Sequence, residues 1–367
     1  MLRVAMISPL FESVPPKLYG GTERIVFQLC QGLTDQDVEV VLFASGDSLV
    51  ECSMHAVIPE GLRLKQPPVN DSLAYHYKMM AQVAKQAPEF DVIHNHSDYW
   101  MFPLTEMTQT PILSTLHGRL DLPDSHAAYC SFPKGHLISI SDAQRKPLPD
   151  LPWLSTIYHG LDLEKFKFHP KPGQYLAFLG RISEEKKPEW AIQIAKHAGV
   201  PLKIAAKIEG ALGQDYYSRL VKPHVDGKFI EYIGEISEHE KSEFLGNALA
   251  LVFPIDWPEP FGLVMIESLA CGTPVLARPY GSVPEILKDG VTGFVHSDLE
   301  VLAQKVGRLS QISRLECRQW VNERFSLQRM TEDYIDVYRK LATTQGIAAH
   351  HRRNFLHPLK RAAFGDS

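Results

Sequence analysis

The sequence predicts an α/β protein built from two doubly wound parallel sheets that face each other across a cleft. Three observations carry this expectation. At 367 residues the chain exceeds what one ordinary hydrophobic core serves, so two domains are expected. Short apolar runs without in–out alternation are interleaved with longer stretches of helical period, the pattern of parallel strands covered on both faces. The series also starts afresh after Phe166-Lys-Phe-His-Pro-Lys-Pro-Gly173, a basic, Pro-rich stretch that reads as a linker.

In chain order, the first strands are expected over Arg3–Ser8, Glu39–Ala44, Asp91–His94, Ile112–Leu116, Gly135–Ser139 and Leu154–Tyr158, with helices over Glu23–Leu33 and Leu73–Ala87. The second series runs Tyr175–Leu179, Leu202–Ala206, Ile230–Tyr232, Ala250–Phe253, Pro274–Ala277 and Gly293–Val295. Helical patterns at Glu189–Ala198, Lys241–Ala248 and Val264–Ala270 separate these strands. Near the end, Tyr334, Val337, Tyr338 and Leu341 recur at helical spacing within Leu327–Leu341. Doubly wound sheets bind ligands outside the carboxyl ends of their strands, which places the site in the cleft.

Composition narrows the class. Apolar residues make up 44% and charged residues 22%, with a net charge of −5, so nothing draws the chain toward nucleic acid. Cysteines at 30, 52, 130, 271 and 317 form no C-x-x-C pair and read as reduced, buried thiols of a cytoplasmic protein. The N-terminus enters an apolar strand at once and no run of eighteen apolar residues occurs, so neither export by a standard signal nor a membrane span is expected. The basic tail around His350-His-Arg-Arg-Asn-Phe-Leu, with Lys360 and Arg361, reads as a solvated end whose membrane contact is peripheral at most. Oligomeric state is not legible.

The densest chemistry lies in Glu259-Pro-Phe-Gly-Leu-Val-Met-Ile-Glu267, two carboxylates eight residues apart around a Pro-Phe-Gly turn. Glu259 falls in the loop before a helix and Glu267 about two turns in. The N–H groups of Phe261, Gly262 and Leu263 point out of the helix start, where an anion is stabilised. A hydroxyl-binding carboxylate, a phosphate cradle and a second carboxylate in one segment have the shape of a sugar–nucleotide site. Gly20-Gly21 in Tyr19-Gly-Gly-Thr-Glu-Arg24 opens the first helix and lets backbone approach a ligand, yet it is not the G-x-G-x-x-G of a nicotinamide site. Arg181 and Lys186, in Gly180-Arg-Ile-Ser-Glu-Glu-Lys-Lys-Pro188, follow a strand end facing the cleft and suit phosphate oxygens, whereas Glu184, Glu185 and Lys187 read as solvated. His117 closes another apolar strand and aims at the cleft, with Arg119 and Asp121 equally readable as loop surface. His94-Asn-His96-Ser-Asp98 resembles the zinc signature of metallo-β-lactamase-like hydrolases, but Tyr99 stands where that family carries a further histidine.

Together these stretches resemble the family 4 glycosyltransferases, retaining enzymes of GT-B fold that use nucleotide-diphosphate sugars. The resemblance runs from Gly20-Gly21 to Gly281-Ser-Val-Pro-Glu-Ile-Leu-Lys-Asp-Gly-Val-Thr-Gly-Phe294, with Glu259 to Glu267 matching the family's E-x7-E pattern. It implies that Arg181 and Lys186 grip the diphosphate, Glu259 binds donor-sugar hydroxyls, Glu267 binds the ribose and His117 lies by the reacting sugar. The glycine loop then lies by the diphosphate, and backbone near Ile233-Gly234-Glu235 meets the base. It further implies no cofactor, a donor of UDP, GDP or ADP type, a hydroxyl acceptor and metal-independent chemistry. Acceptor choice falls to Phe11–Leu18 and Asp121–Tyr129. Residues 1–170 become the acceptor-side domain, 171–326 the nucleotide-sugar domain, 327–345 a helix crossing back, and 346–367 the tail. Two departures stand out: His159-Gly160-Leu-Asp162 where relatives usually carry Asn-Gly-x-Asp, and Lys187 where they commonly carry glycine. The alternatives are a catalytically silent GT-B binding protein, a GT-B phosphorylase or epimerase, and a zinc hydrolase using His94, His96 and Asp98.

Overall fold

The computed structural model describes residues 1–17, 20–63, 65–132 and 135–355, with side chains described through residue 343. Tyr19, Leu18 and the tail residues Lys360 and Arg361, named above, lie outside the described residues. The first sheet collects β1 (Arg3–Ile7), β2 (Glu39–Ser45), β3 (Ser53–Ile58), β4 (Val92–Asn95), β5 (Ile112–Thr115), β6 (His136–Ser139) and β7 (Trp153–Thr156) in the order β3-β2-β1-β4-β5-β6-β7, all parallel. Between them run α1 (Gly21–Thr34), α2 (Ser72–Gln86), α3 (Leu104–Met107), α4 (Pro123–Cys130) and α5 (Asp142–Arg145). The second sheet orders β8 (Leu176–Arg181), β9 (Leu202–Lys207), β10 (Ile230–Gly234), β11 (Ala250–Phe253), β12 (Val275–Ala277) and β13 (Gly293–Val295) as β10-β9-β8-β11-β12-β13, again parallel. Its helices are α6 (Pro188–Ala198), α7 (Gly210–Tyr216), α8 (Glu238–Gly246), α9 (Leu263–Ala270), α10 (Val283–Ile286), α11 (Leu299–Val306) and α12 (Arg314–Arg324), followed by α13 (Leu327–Phe355).

Both sheets therefore reverse direction of winding at an inner pair, β1/β4 in the first and β8/β11 in the second. At such a switch point adjacent loops part and leave a crevice. All four loops bear on the same cavity, which is how two separate sheets come to share one site.

The strands are apolar on both sides because helices cover both faces: Val4, Met6, Leu42 and Val92 are fully or nearly fully buried beneath α1. On that same face lie Met330, Tyr334, Tyr338 and Leu341, so α13 leaves the second domain and packs on the first. Two chain crossings run side by side at the junction, with Leu161 N–H donating to Phe325 O (2.8 Å) and Leu327 N–H donating to Leu161 O (2.8 Å). Gly160 is required there, since a Cβ would stand 2.4 Å from Ser326 O. Edge strand β3 was not expected; its Ser-Met-His-Ala-Val-Ile is half exposed and carries a weaker apolar signal. Among the described cysteines none is paired, and Cys130 is exposed rather than buried. No described helix is long and apolar enough to cross a membrane.

Candidate active site

A cavity of about 730 Å³ lies between the domains at the carboxyl ends of the strands. On the second domain, β8 ends in Arg181 and the loop to α6 carries Lys186, while the loop after β11 carries Glu259 and runs into α9. Gly262 is the cap of α9 at φ +82°, and a Cβ there would meet Met265 Cε at 2.7 Å and Glu259 Cγ at 3.3 Å, so only glycine allows this turn. Phe261, Gly262 and Leu263 all line the cavity. Opposite them Gly20 and Gly21 open α1, and a Cβ on Gly21 would lie 3.8 Å from Leu263 Cδ1. Two helix starts thus converge on one space, each a site of partial positive charge.

Both carboxylates are held by lysines. Lys186 Nζ pairs with Glu259 Oε2, which also accepts from Trp257 Nε1 at 3.0 Å, and the ammonium lies 4.9 Å from the Trp257 ring centre. Lys241 Nζ pairs with Glu267 Oε1 at 2.8 Å and with Glu238 at 3.0 Å, and Glu238 in turn pairs with Arg24 of α1. A line of alternating charge therefore crosses the cleft from the first domain to Glu267. Glu267 is the fifth residue of α9, a little over one turn in, because the helix starts only after Gly262; the expected two turns counted the loop as helix. Its carboxylate is 2% exposed, so Lys241 is its necessary counter-charge. Sequence reasoning missed Lys241, which sits 26 residues from Glu267 with no local motif joining them. Arg181 stands 3.9 Å from Glu209 and lines the cavity.

Ile233 does not reach the site. It bulges out of β10, where Tyr232 and Gly234 pair with consecutive residues of β9, and it is 41% exposed; Glu235 and Ile236 line the cavity instead. Lys187 is not a solvated loop charge either. It caps α6 at φ +51°, the left-handed region that favours glycine, and its ammonium lies over Trp190 at 5.0 Å, away from the cavity.

The first domain contributes a different surface. His117 Nε2 and His96 Nδ1 are 2.8 Å apart, and His96 Nε2 lies 3.3 Å from His94 Nδ1. His94 is bonded at both nitrogens, to Tyr338 Oη (2.6 Å) and Thr115 Oγ1 (2.8 Å). Burial pushes His94 and His96 far below the usual histidine range and His117 down to about 3, so the cluster is neutral at physiological pH. Asp98, at φ +56°, accepts from Tyr129 Oη (2.7 Å) and is raised by burial. Glu23 is raised to about 7, chiefly by burial. The zinc alternative is corrected here: His94 has no free nitrogen, Asp98 is committed to Tyr129, and no group of described side chains is arranged to hold a metal. Arg119 pairs bidentately with Asp121 and stands 5.7 Å from the Trp257 ring across the cleft.

The domains are bolted behind the cavity. Glu285 of α10 accepts from Asp142 N–H (2.8 Å) and Ala143 N–H (2.7 Å) at the start of α5, and Ser141 Oγ donates to Pro260 O (2.7 Å). Tyr158 Oη adds a bond to Glu285 at 3.1 Å.

Two doubly wound domains meeting over converging helix starts, with cations and carboxylates on one wall, define a GT-B fold. Residues 162–323 match the profile of the glycosyl transferases group 1, and residues 19–165 that of glycosyltransferase family 4. The chain belongs to this glycosyltransferase family. A 41.2 kDa protein in the cps region of Klebsiella pneumoniae is 25% identical over 170 residues, 45% of this chain and 46% of that one. A D-inositol 3-phosphate glycosyltransferase of Mycobacterium marinum is 23% identical over 77% of this chain and 71% of its own. A glycogen synthase of Mycobacterium tuberculosis is 26% identical over 91% of both chains. Among solved structures, AviGT4, a glycosyltransferase involved in avilamycin A biosynthesis, superimposes with a TM-score of 0.71 at 20% identity, covering 94% of this chain and 98% of that one. Sucrose-phosphate synthase from Thermosynechococcus elongatus gives 0.75 at 18% identity, covering 94% and 100%. Anabaena HepE, solved in complex with UDP and glucose, gives 0.71 at 17%, covering 92% and 99%.

Proposed function

We propose that the protein transfers a sugar, with retention, from a nucleotide-diphosphate sugar to an acceptor hydroxyl, using protein cations rather than a metal at the leaving group. The observation that carries this reading is the pair of buried carboxylates, Glu259 and Glu267, each held by a lysine beside the start of α9. We read neither as an acid–base catalyst: each is a lysine-paired hydrogen-bond acceptor, the right partner for sugar and ribose hydroxyls.

The steps follow from charge. Breaking the anomeric carbon–oxygen bond leaves negative charge on the diphosphate, which Arg181, Lys186 and the converging N–H groups of α1 and α9 stabilise. The departing phosphate, on the face the acceptor enters, meets the positive charge growing on the sugar and takes the acceptor's proton. His117 is neutral and lines the cavity, so it orients sugar hydroxyls and does not serve as a charged acid. The interdomain contacts hold the two walls facing each other, and closure over both substrates would exclude water.

The test is release of free UDP, GDP or ADP when purified protein meets a panel of nucleotide sugars and hydroxyl acceptors. Release that needs both donor and acceptor, with the product's anomeric configuration unchanged by NMR, is the expected result. Dependence on inorganic phosphate, or turnover with no acceptor, contradicts it.

A further inference from the structure

His159 is among the cavity-lining side chains that this mechanism does not use. His159 sits at the end of the turn from β7 toward the second domain, 3% exposed, and lines the cavity. Its ring stacks on His117 at 5.3 Å and 18°, and its edge meets Phe261 at 4.8 Å and 63°, just before the start of α9. The other two cavity imidazoles, His96 and His117, are bonded to each other, and His96 also approaches His94 behind them. His159 Nδ1, by contrast, is shut away from solvent with no hydrogen-bond partner. A ligand in the cavity cannot reach that buried nitrogen, so what the ring offers to the cavity is decided at Nε2.

The chemistry of the ring selects what it meets. Burial, helped by His117 and Arg329, pushes its pKa well below the usual histidine range, so it is neutral. With no acceptor near Nδ1, the proton belongs on Nε2, the nitrogen a ligand in the cavity can reach. A diphosphate already has Arg181, Lys186 and the helix-start N–H groups at hand. A neutral N–H is a good match for a hydroxyl oxygen. We propose that His159 binds a hydroxyl of the transferred sugar and, with His117, forms a two-imidazole wall that selects which sugar is accepted. An asparagine at this position would be shorter and could not stack on His117. The proposal rests on the nucleotide-sugar reading above.

Isothermal titration separates the two. UDP, GDP and ADP and their glucose, galactose and mannose conjugates are titrated into wild type, His159→Asn and His159→Phe, the last keeping the stack while removing both nitrogens. If wild type binds none of the diphosphates or conjugates, the nucleotide-sugar reading and this inference fall together. The expected result is that both variants bind the free diphosphate within about twofold of wild type and the preferred conjugate about tenfold more weakly. A conjugate-to-diphosphate affinity ratio unchanged in both variants overturns the inference alone. Equal weakening of diphosphate and conjugate overturns it too, because that is how a purely structural hinge residue behaves.

Discussion

The two walls of the cleft are built on opposite electrostatic principles. On the second domain the side chains are charged and paired: Lys186 with Glu259, Lys241 with Glu267, Arg181 with Glu209. On the first domain Arg24 and Arg119 are paired too, with Glu238 and Asp121, but the histidine cluster and two carboxyls are pushed toward neutrality: His94, His96 and His117 downward, Glu23 and Asp98 upward. On the function proposed above, this difference lets one cavity serve both substrates: charge is held ready where the diphosphate would leave, and neutral donors and acceptors where hydroxyls would need placing.

Removing charge from the second wall is the strongest way to break this contrast. Lys186→Met takes a cation from the leaving group and strands Glu259, so kcat should fall on the order of 10²–10³-fold. The stranded carboxylate should also cost about 3–5 kcal/mol in urea denaturation, most of it recovered in the Lys186→Met/Glu259→Gln double variant. A loss under tenfold would remove Lys186 from the chemistry.

Adding charge to the first wall is the converse. The native histidines refuse protons that the unfolded chain binds near pH 6.5, so stability is present above that pH and is lost on acidification toward about 3. Each histidine that stays neutral contributes a slope of about 1.4 kcal/mol per pH unit in that window. Glu23 acts in the opposite sense: the native state holds its proton more tightly than the unfolded chain. Its contribution is therefore present below its unfolded value and lost as pH rises through about 7. Denaturant midpoints at pH 4, 5, 6 and 7 should fall toward acid, and His94→Phe should flatten the slope. A flat profile in wild type means the cluster is not held neutral.

Smaller effects sharpen the picture. Tyr338→Phe removes the bond to His94 from α13 and should cost about 1–3 kcal/mol in urea, with the diphosphate affinity unchanged. An affinity loss instead would couple the first wall to the donor site. Lys187→Gly relieves a left-handed residue beside the phosphate loop and should stabilise the protein by about 1 kcal/mol without lowering kcat, since Lys187 faces Trp190. A fall in kcat would place its charge in the site.

Much of this was legible because parallel sheets and helix starts leave local signals. The two doubly wound sheets showed in runs such as Arg3–Ser8 and Ala250–Phe253, and Gly262 before an apolar helix marked the helix start that lines the cavity. Edge strand β3 and the four-residue helices α3, α5 and α10 escaped because short or half-exposed segments carry too little periodicity. The line Arg24–Glu238–Lys241–Glu267 escaped for another reason: its members come from three helices, and only tertiary packing brings them together. His94 shows the reverse error. An H-x-H-x-D spacing looks like a metal site in one dimension, yet in three both nitrogens of its first ring are spent on Thr115 and Tyr338.

The division of labour between the walls is tested most directly by calorimetric titration of UDP, GDP and ADP into wild type, Arg181→Ala/Lys186→Met and His117→Asn. One diphosphate should bind wild type, weaken about a hundredfold or more in the cation double variant, and bind the histidine variant as it does wild type. Unchanged diphosphate affinity without Arg181 and Lys186, or a loss as large without His117, would contradict it.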